Sequence, residues 1–204
     1  MKRTMKLENF ILKNYKIVKV PISISNHHAH LTKQAVELLF GKNYKLKKRN
    51  NISQPGQYAC DESIDVVAQK DRITCRVVGP CRDNTQVEIS KTDAVKLGIK
   101  APVRLSGDIK NSASAKLVGP KGKYVLKEGI VIVKRHMHLS DKEAKKFGLK
   151  NGSIVNLAVK TNRGFHIFGD LICRVDKNYR LDVHIDTDEA NAAMIENNKG
   201  YIFY

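Results

Sequence analysis

The chain has 204 residues, room for one large domain or two small ones, with 42% hydrophobic and 28% charged residues, an ordinary globular balance. No apolar run approaches the roughly 18 residues of a membrane span, and four cysteines without a CxxC pair exclude a disulfide scaffold or a Cys-rich zinc finger. The net charge of +17 is mostly lysine, spread along the chain without an aromatic-interleaved stripe; it reads as a solvated basic surface or one for small polyanions, with no nucleic-acid motif.

The opening residues MKRTMKLENF carry positive charge but neither the long apolar stretch nor the cleavage site of a secretory signal, so a cytoplasmic protein with reduced thiols is expected. Leu7, Phe10 and Ile11 share a helical face opposite Lys6 and Lys13, as a short amphipathic helix or a docked extension. Alternation and β-branched content predict strands over 16–25, 63–67, 73–78, 86–89, 103–105, 123–126, 130–134, 154–160, 164–168, 171–175 and 180–185. Helices are predicted over 33–39, 92–97, 141–147 and 188–196. The polar segment 41–60, with Pro55-Gly56 inside it, reads as a loop or a small inserted element. Many short strands with brief helices predict a mainly β (α+β) fold of β-barrels with helical caps.

The informative feature is self-similarity. VPISISNHHAHLTKQAV (20–36) parallels EGIVIVKRHMHLSDKEA (128–144), and VEISKTDAVKLGIK (87–100) parallels MHLSDKEAKKFGLK (137–150), with VHIDTDEANAA (183–193) as a fourth copy. Each copy sets a metal-competent residue (His30, Glu88, His138 or His184) before an apolar residue and then an N-cap type, Thr32, Ser90, Ser140 or Asp186. Asp93, Glu143 and Glu189 complete capping boxes in three copies, and Ala35 leaves the first box incomplete. The grammar is a strand ending just before a helix.

Residues i and i+2 of a strand share a face, so His28 with His30, and His136 with His138, can each grip one ion. With Glu88 and His184 at equivalent junctions they form two three-ligand sets, whose imidazole and carboxylate donors suit zinc and leave a coordination position open. Five of the seven histidines fall in these positions. His27 reads as a surface residue and His166 as an ordinary strand histidine. Arg82 is either a solvated loop arginine or a planar fork for phosphate or carboxylate. Cys81 is a small packed thiol or, less in keeping with the usual case, a nucleophile.

SISNHHAHL, SQPGQYA, VVGPCRDNTQVEISKTDAVKLGIKAPVRLSGD, LVGPKG, VIVKRHMHLS and DVHIDTDEANAA, in that order, resemble the phosphate propanoyltransferases, the PduL-type phosphotransacylases of bacterial microcompartments. The resemblance covers about 20–193. It implies interconversion of a short-chain acyl-coenzyme A, propanoyl or acetyl, plus phosphate with acyl phosphate plus coenzyme A, at a dinuclear zinc site. It implies two β-barrels with a two-stranded lid: an N-terminal extension at 1–16, a first barrel of 17–26 and 134–204, a second of 27–40 and 61–133, and the lid at 41–60. One zinc would be held by His28, His30 and Glu88 and take the coenzyme A sulfur; the other would be held by His136, His138 and His184. Arg82 would face phosphate, and Gln54, Pro55 and Gly56 of the lid would meet coenzyme A. A homodimer, and microcompartment shell or core proteins as neighbours, complete the implied partners, with no nucleic acid and no membrane. His27 departs from the family's arginine, and the N-terminal extension is short for a microcompartment-delivery helix.

With no evident Ser-His or Cys-His dyad, direct attack of phosphate on the thioester is the expected route. A dinuclear zinc hydrolase of small esters or amides is the alternative, and a non-catalytic zinc or nucleic-acid-binding module is a third reading that the open three-ligand sets disfavour.

Overall fold

The structure is a computed structural model that describes residues 13–204. The amphipathic pattern of Leu7, Phe10 and Ile11 lies outside the described residues. Among the described residues, fourteen strands and four short helices alternate. In chain order they are β1 (Ile17–Ser25), β2 (His28–His30), α1 (Lys33–Phe40), β3 (Lys48–Asn51), β4 (Tyr58–Val67), β5 (Arg72–Gly79), β6 (Gln86–Glu88), α2 (Lys91–Leu97), β7 (Val103–Arg104) and β8 (Ala113–Val118). There follow β9 (Lys123–Val133), β10 (His136–Leu139), α3 (Asp141–Phe147), β11 (Ile154–Thr161), β12 (Gly164–Val175), β13 (Asp182–Asp186), α4 (Thr187–Ala193) and β14 (Lys199–Phe203). The fold is mainly β, as the pattern predicts. Among the described residues no helix is long and apolar enough to cross a membrane.

The described residues form two compact units, one from Asn26–Lys134 and one from Arg135–Tyr204 together with residues 13–25. The second of these is a closed barrel in the order β1-β13-β10-β12-β11-β14. The first closes as β9-β6-β2-β5-β4-β8, because β8 pairs with both β4 and β9; β3 is added on β4 and β7 on β9. Strand sense matches position by position. β1·β13 and β10·β12 are parallel in one, β9·β6 and β2·β5 in the other, and the remaining barrel pairs are antiparallel. The chain is thus a tandem repeat, β1–β8 and β9–β14, in which each repeat gives its first strand to the other repeat's barrel.

Alternation along each strand sends one face inward. Ala29 and Val87, with Leu31 and Ile89 just beyond their strands, join the core of one unit with Leu39, Ile64, Leu97 and Ile130. Met137, Leu139, Val183 and Ile185 join the other with Ile22, Leu157 and Leu171. Burying each large aliphatic side chain is worth about 1.5–3 kcal/mol, so these faces fix strand register, and the alternate residues of β2, β6, β10 and β13 share the opposite face.

The four strand-to-helix junctions form as the repeat implies. Thr32 Oγ1 accepts from Ala35 N at 3.1 Å without a reciprocal bond. Ser90 with Asp93, Ser140 with Glu143, and Asp186 with Glu189 make complete capping boxes. Gly98 and Gly148 end α2 and α3 at φ of 70° and 73°, the left-handed position that glycine fills without strain.

Some elements differ from expectation. β9 and β12 each run unbroken where two strands are predicted, through Gly129 and Asp170 at positive φ. β3, β8 and β14 are strands that sequence patterning did not predict. β3 and the start of β4 make a two-stranded antiparallel arm out of segment 41–60.

Candidate active site

In the Asn26–Lys134 unit, antiparallel pairing sets His28 opposite Glu88 and His30 opposite Gln86. His28 Nε2 lies 3.4 Å from Glu88 Oε2, and His30 Nε2 lies 3.9 Å from Oε1. Both Nδ1 atoms point the other way, to carbonyl oxygens: His28 to Asn26 at 2.8 Å and His30 to Val78 at 3.2 Å. A carbonyl only accepts, so each Nδ1 carries a proton, and in the neutral ring the Nε2 lone pair faces the carboxylate.

Burial first, then His28 and Arg82, hold His30 well below its ordinary value, at about 3, so its ring is neutral at pH 7. Burial opposes ionisation of Glu88, yet the two histidines, the Ser106 hydroxyl and Arg82 outweigh it and hold the carboxyl below its usual range. With Nδ1 of each ring turned to a carbonyl, the two Nε2 atoms and the Glu88 carboxylate face one another, an arrangement that a divalent cation satisfies. The donor set fits a metal.

In the other unit, pairing sets His136 opposite His184 and His138 opposite Asp182. The three rings cluster with centroids 4.7–5.1 Å apart, and Tyr179 lies 4.3 Å from His138. Asp182, only 3% exposed, has Oδ2 at 3.0 Å from His184 Nε2 and accepts from Ser23 Oγ at 2.7 Å. That carboxylate fixes the plane of the His184 ring, the device by which metal-binding histidines are usually oriented. In each set the candidate ligand atoms lie within 4.8 Å of one another. All six residues proposed from spacing thus fall into two candidate metal-binding groups.

Arg82 follows the Gly79-Pro80 turn and is anchored by its N–H to Leu31 O at 2.9 Å. Its guanidinium donates to Ser106 Oγ at 3.3 Å and to Gln57 Oε1 at 3.4 Å. Ser106 in turn donates to Glu88 Oε1 at 2.6 Å, and Gln86 Nε2 donates to the same oxygen at 2.7 Å. Gln86 Oε1 accepts from Gly107 N at 2.8 Å, which fixes its amide orientation. A continuous hydrogen-bonded chain therefore runs from the arm turn, through Arg82, to a candidate ligand. In that turn Gln54 is buried and its carbonyl accepts from Gln57 N; Pro55 and Gly56 are exposed, Gly56 at a φ of 77°.

Sequence reasoning missed Gln57, Gln86, Ser106, Ser23 and Asp182. Only Gln86 and Asp182 carried a signal, each two residues before a candidate ligand on the same strand. His27 is not the plain surface residue expected: its Nδ1 lies 3.2 Å from Asp93 Oδ2, and that bond raises its pKa. His166 lies on β12 opposite Val159, outside both groups. Cys81 is exposed, and partial desolvation pushes its thiol up despite Lys33, so it is not an activated thiolate.

Fold and site define a mainly β protein of two closed barrels with two histidine-rich candidate metal-binding groups. A family model described as phosphate propanoyltransferase matches residues 21–196. The chain is 43% identical to the phosphate propanoyltransferase of Thermotoga maritima over 184 residues, 90% of this chain and 87% of that one. It is 47% identical to those of Lachnoclostridium phytofermentans, over 86% of this chain and 83% of that one, and Priestia megaterium, over 86% and 81%. The chain belongs to the phosphate propanoyltransferase family and is an acyltransferase.

Proposed function

We propose that the chain interconverts a short-chain acyl-coenzyme A, propanoyl or acetyl, and phosphate with acyl phosphate and coenzyme A, with one zinc ion held by His28, His30 and Glu88 and a second by His136, His138 and His184. The observation that carries it is a three-ligand set gathered within each unit of a chain of this family, with Arg82 hydrogen-bonded next to one of them. When bound, zinc supplies Lewis acidity, which lowers a thiol's pKa and polarises a carbonyl.

The chain's own residues do the rest. Arg82 offers a planar two-pronged donor to phosphate, and Ser106 and Gln57 hold that fork in place, so binding and orientation are set before reaction. A phosphate oxygen attacks the thioester carbonyl carbon, the C–S bond breaks, and coenzyme A leaves as its thiolate. Segment 41–60, with Gln54, Pro55 and Gly56 at the turn, serves as a lid that limits water at the thioester. No side-chain nucleophile is needed, so Cys81→Ala retains turnover.

The test is release of free thiol from propanoyl- and acetyl-coenzyme A, with and without phosphate, on metal-loaded and chelated protein. Thiol release that requires phosphate and metal is expected. Release without phosphate would instead show a hydrolase.

A further inference from the structure

The residue just before each His-x-His pair makes the same unusual bond. In one unit, His27 Nδ1 lies 3.3 and 3.2 Å from the two oxygens of Asp93. Asp93 is the acid of the α2 capping box, accepting from Ser90 N at 3.0 Å, and Ser90 lies two residues past Glu88. In the other unit, Arg135 Nε donates to Glu189 Oε1 at 2.6 Å. Glu189 is the acid of the α4 capping box, accepting from Asp186 N at 3.1 Å, and Asp186 lies two residues past His184. The third box, at Ser140, shows no such bond: Glu143 binds Ser140 and Leu181 N.

For its part in a capping box the acid needs only the bond to the N-cap backbone N–H. The extra bond crosses from the strand bearing two ligands to the junction bearing the third. Residue types differ (imidazole with aspartate, guanidinium with glutamate) while the positions coincide. Arg135 is further held by donating to Gly169 O at 2.9 Å and by lying over the Phe168 ring at 5.8 Å.

We infer that His27 and Arg135 are positioning residues, each clamping the strand end that carries Glu88 or His184 against its His-x-His partner and so setting the spacing of one ligand set. The inference rests on reading the two sets as metal sites. Loss of an outer-shell partner of this kind weakens metal binding by about ten- to hundredfold.

The experiment measures zinc affinity of the full chain against a competing chelator and records the absorption spectrum of the cobalt-substituted protein. His30→Ala and His138→Ala each remove one binding step and so assign the two. Arg135→Gln is expected to weaken only the His136 set by about ten- to hundredfold and to shift its cobalt spectrum, with Arg135→Lys recovering much of the loss. His27→Ala does the same to the His28 set, and His27→Arg restores it. Arg72→Gln, which breaks the exposed Arg72–Asp65 pair, changes neither. Unchanged affinities and spectra in the Arg135 and His27 variants, or loss of both ions together with the thermal transition, would overturn the clamp. Wild-type protein that takes up no metal would overturn the metal reading, and the clamp with it.

Discussion

A proton on Nδ1 decides what His28 and His30 can do, and each is held there by a backbone carbonyl. The His-x-His spacing was legible because a strand repeats every two residues. The tautomers were not, because Asn26 and Val78 contribute only backbone. Ser106 was equally hidden, since an isolated serine in a turn looks like any other until the fold brings it to Glu88 and Arg82. Ser106→Ala is therefore expected to weaken metal at the His28 set by about ten- to hundredfold and to raise the KM for phosphate, readable by chelator competition and steady-state kinetics. The thiols give a pH prediction. Burial first raises Cys60 to about 11, Cys75 to about 12 and Cys173 to about 11. An unfolded thiol ionises at about 8.5. Above that pH the unfolded chain loses protons that the folded chain keeps, so stability present below it declines as pH rises toward the folded values. In denaturant titrations, the stability gap between wild type and Cys75→Ala should narrow from neutral to alkaline pH. Exposed Cys81 should be the first thiol labelled in the native protein.

The strand-to-helix junction is the element that this sequence writes most clearly. Its polar cap, its acid three residues on and its preceding apolar residue all pull toward one local structure. Ser140→Ala removes the cap that accepts from Glu143 N, and should cost about 1 kcal/mol, seen as a fall of several degrees in Tm, about 2–8 °C. The elements that escaped notice have weak local preference. β8 is ASAKLV and β3 is KRNN, rich in residues that pleated sheets disfavour, and pairing with β4 and β9 holds them instead. β14 contains Gly200, where a side chain would meet Leu157 and Ile22 at 2.7 and 2.9 Å, so close packing requires the residue that most weakens the strand pattern.

Across the whole molecule, barrel closure depends on which distant strands pair, and no periodicity discloses that. The fold class could be read from many short strands; the closing order could not, because the repeats share their ladder across sequence separations such as Ser23 to His184. Metal bound to the folded state alone stabilises it by mass action, so chelation should lower Tm, and zinc should restore it, rising with the logarithm of free zinc over Kd. The net charge of +17 should draw in coenzyme A and phosphate substrates, so kcat/KM for acyl-coenzyme A is expected to fall as ionic strength rises.

Because β1 belongs with the strands after Arg135 and β9 with those before it, neither half of the polypeptide contains a complete ring. Severed at the Gly119–Gly122 hairpin, the two fragments would each expose an unzipped gap and fold only on meeting.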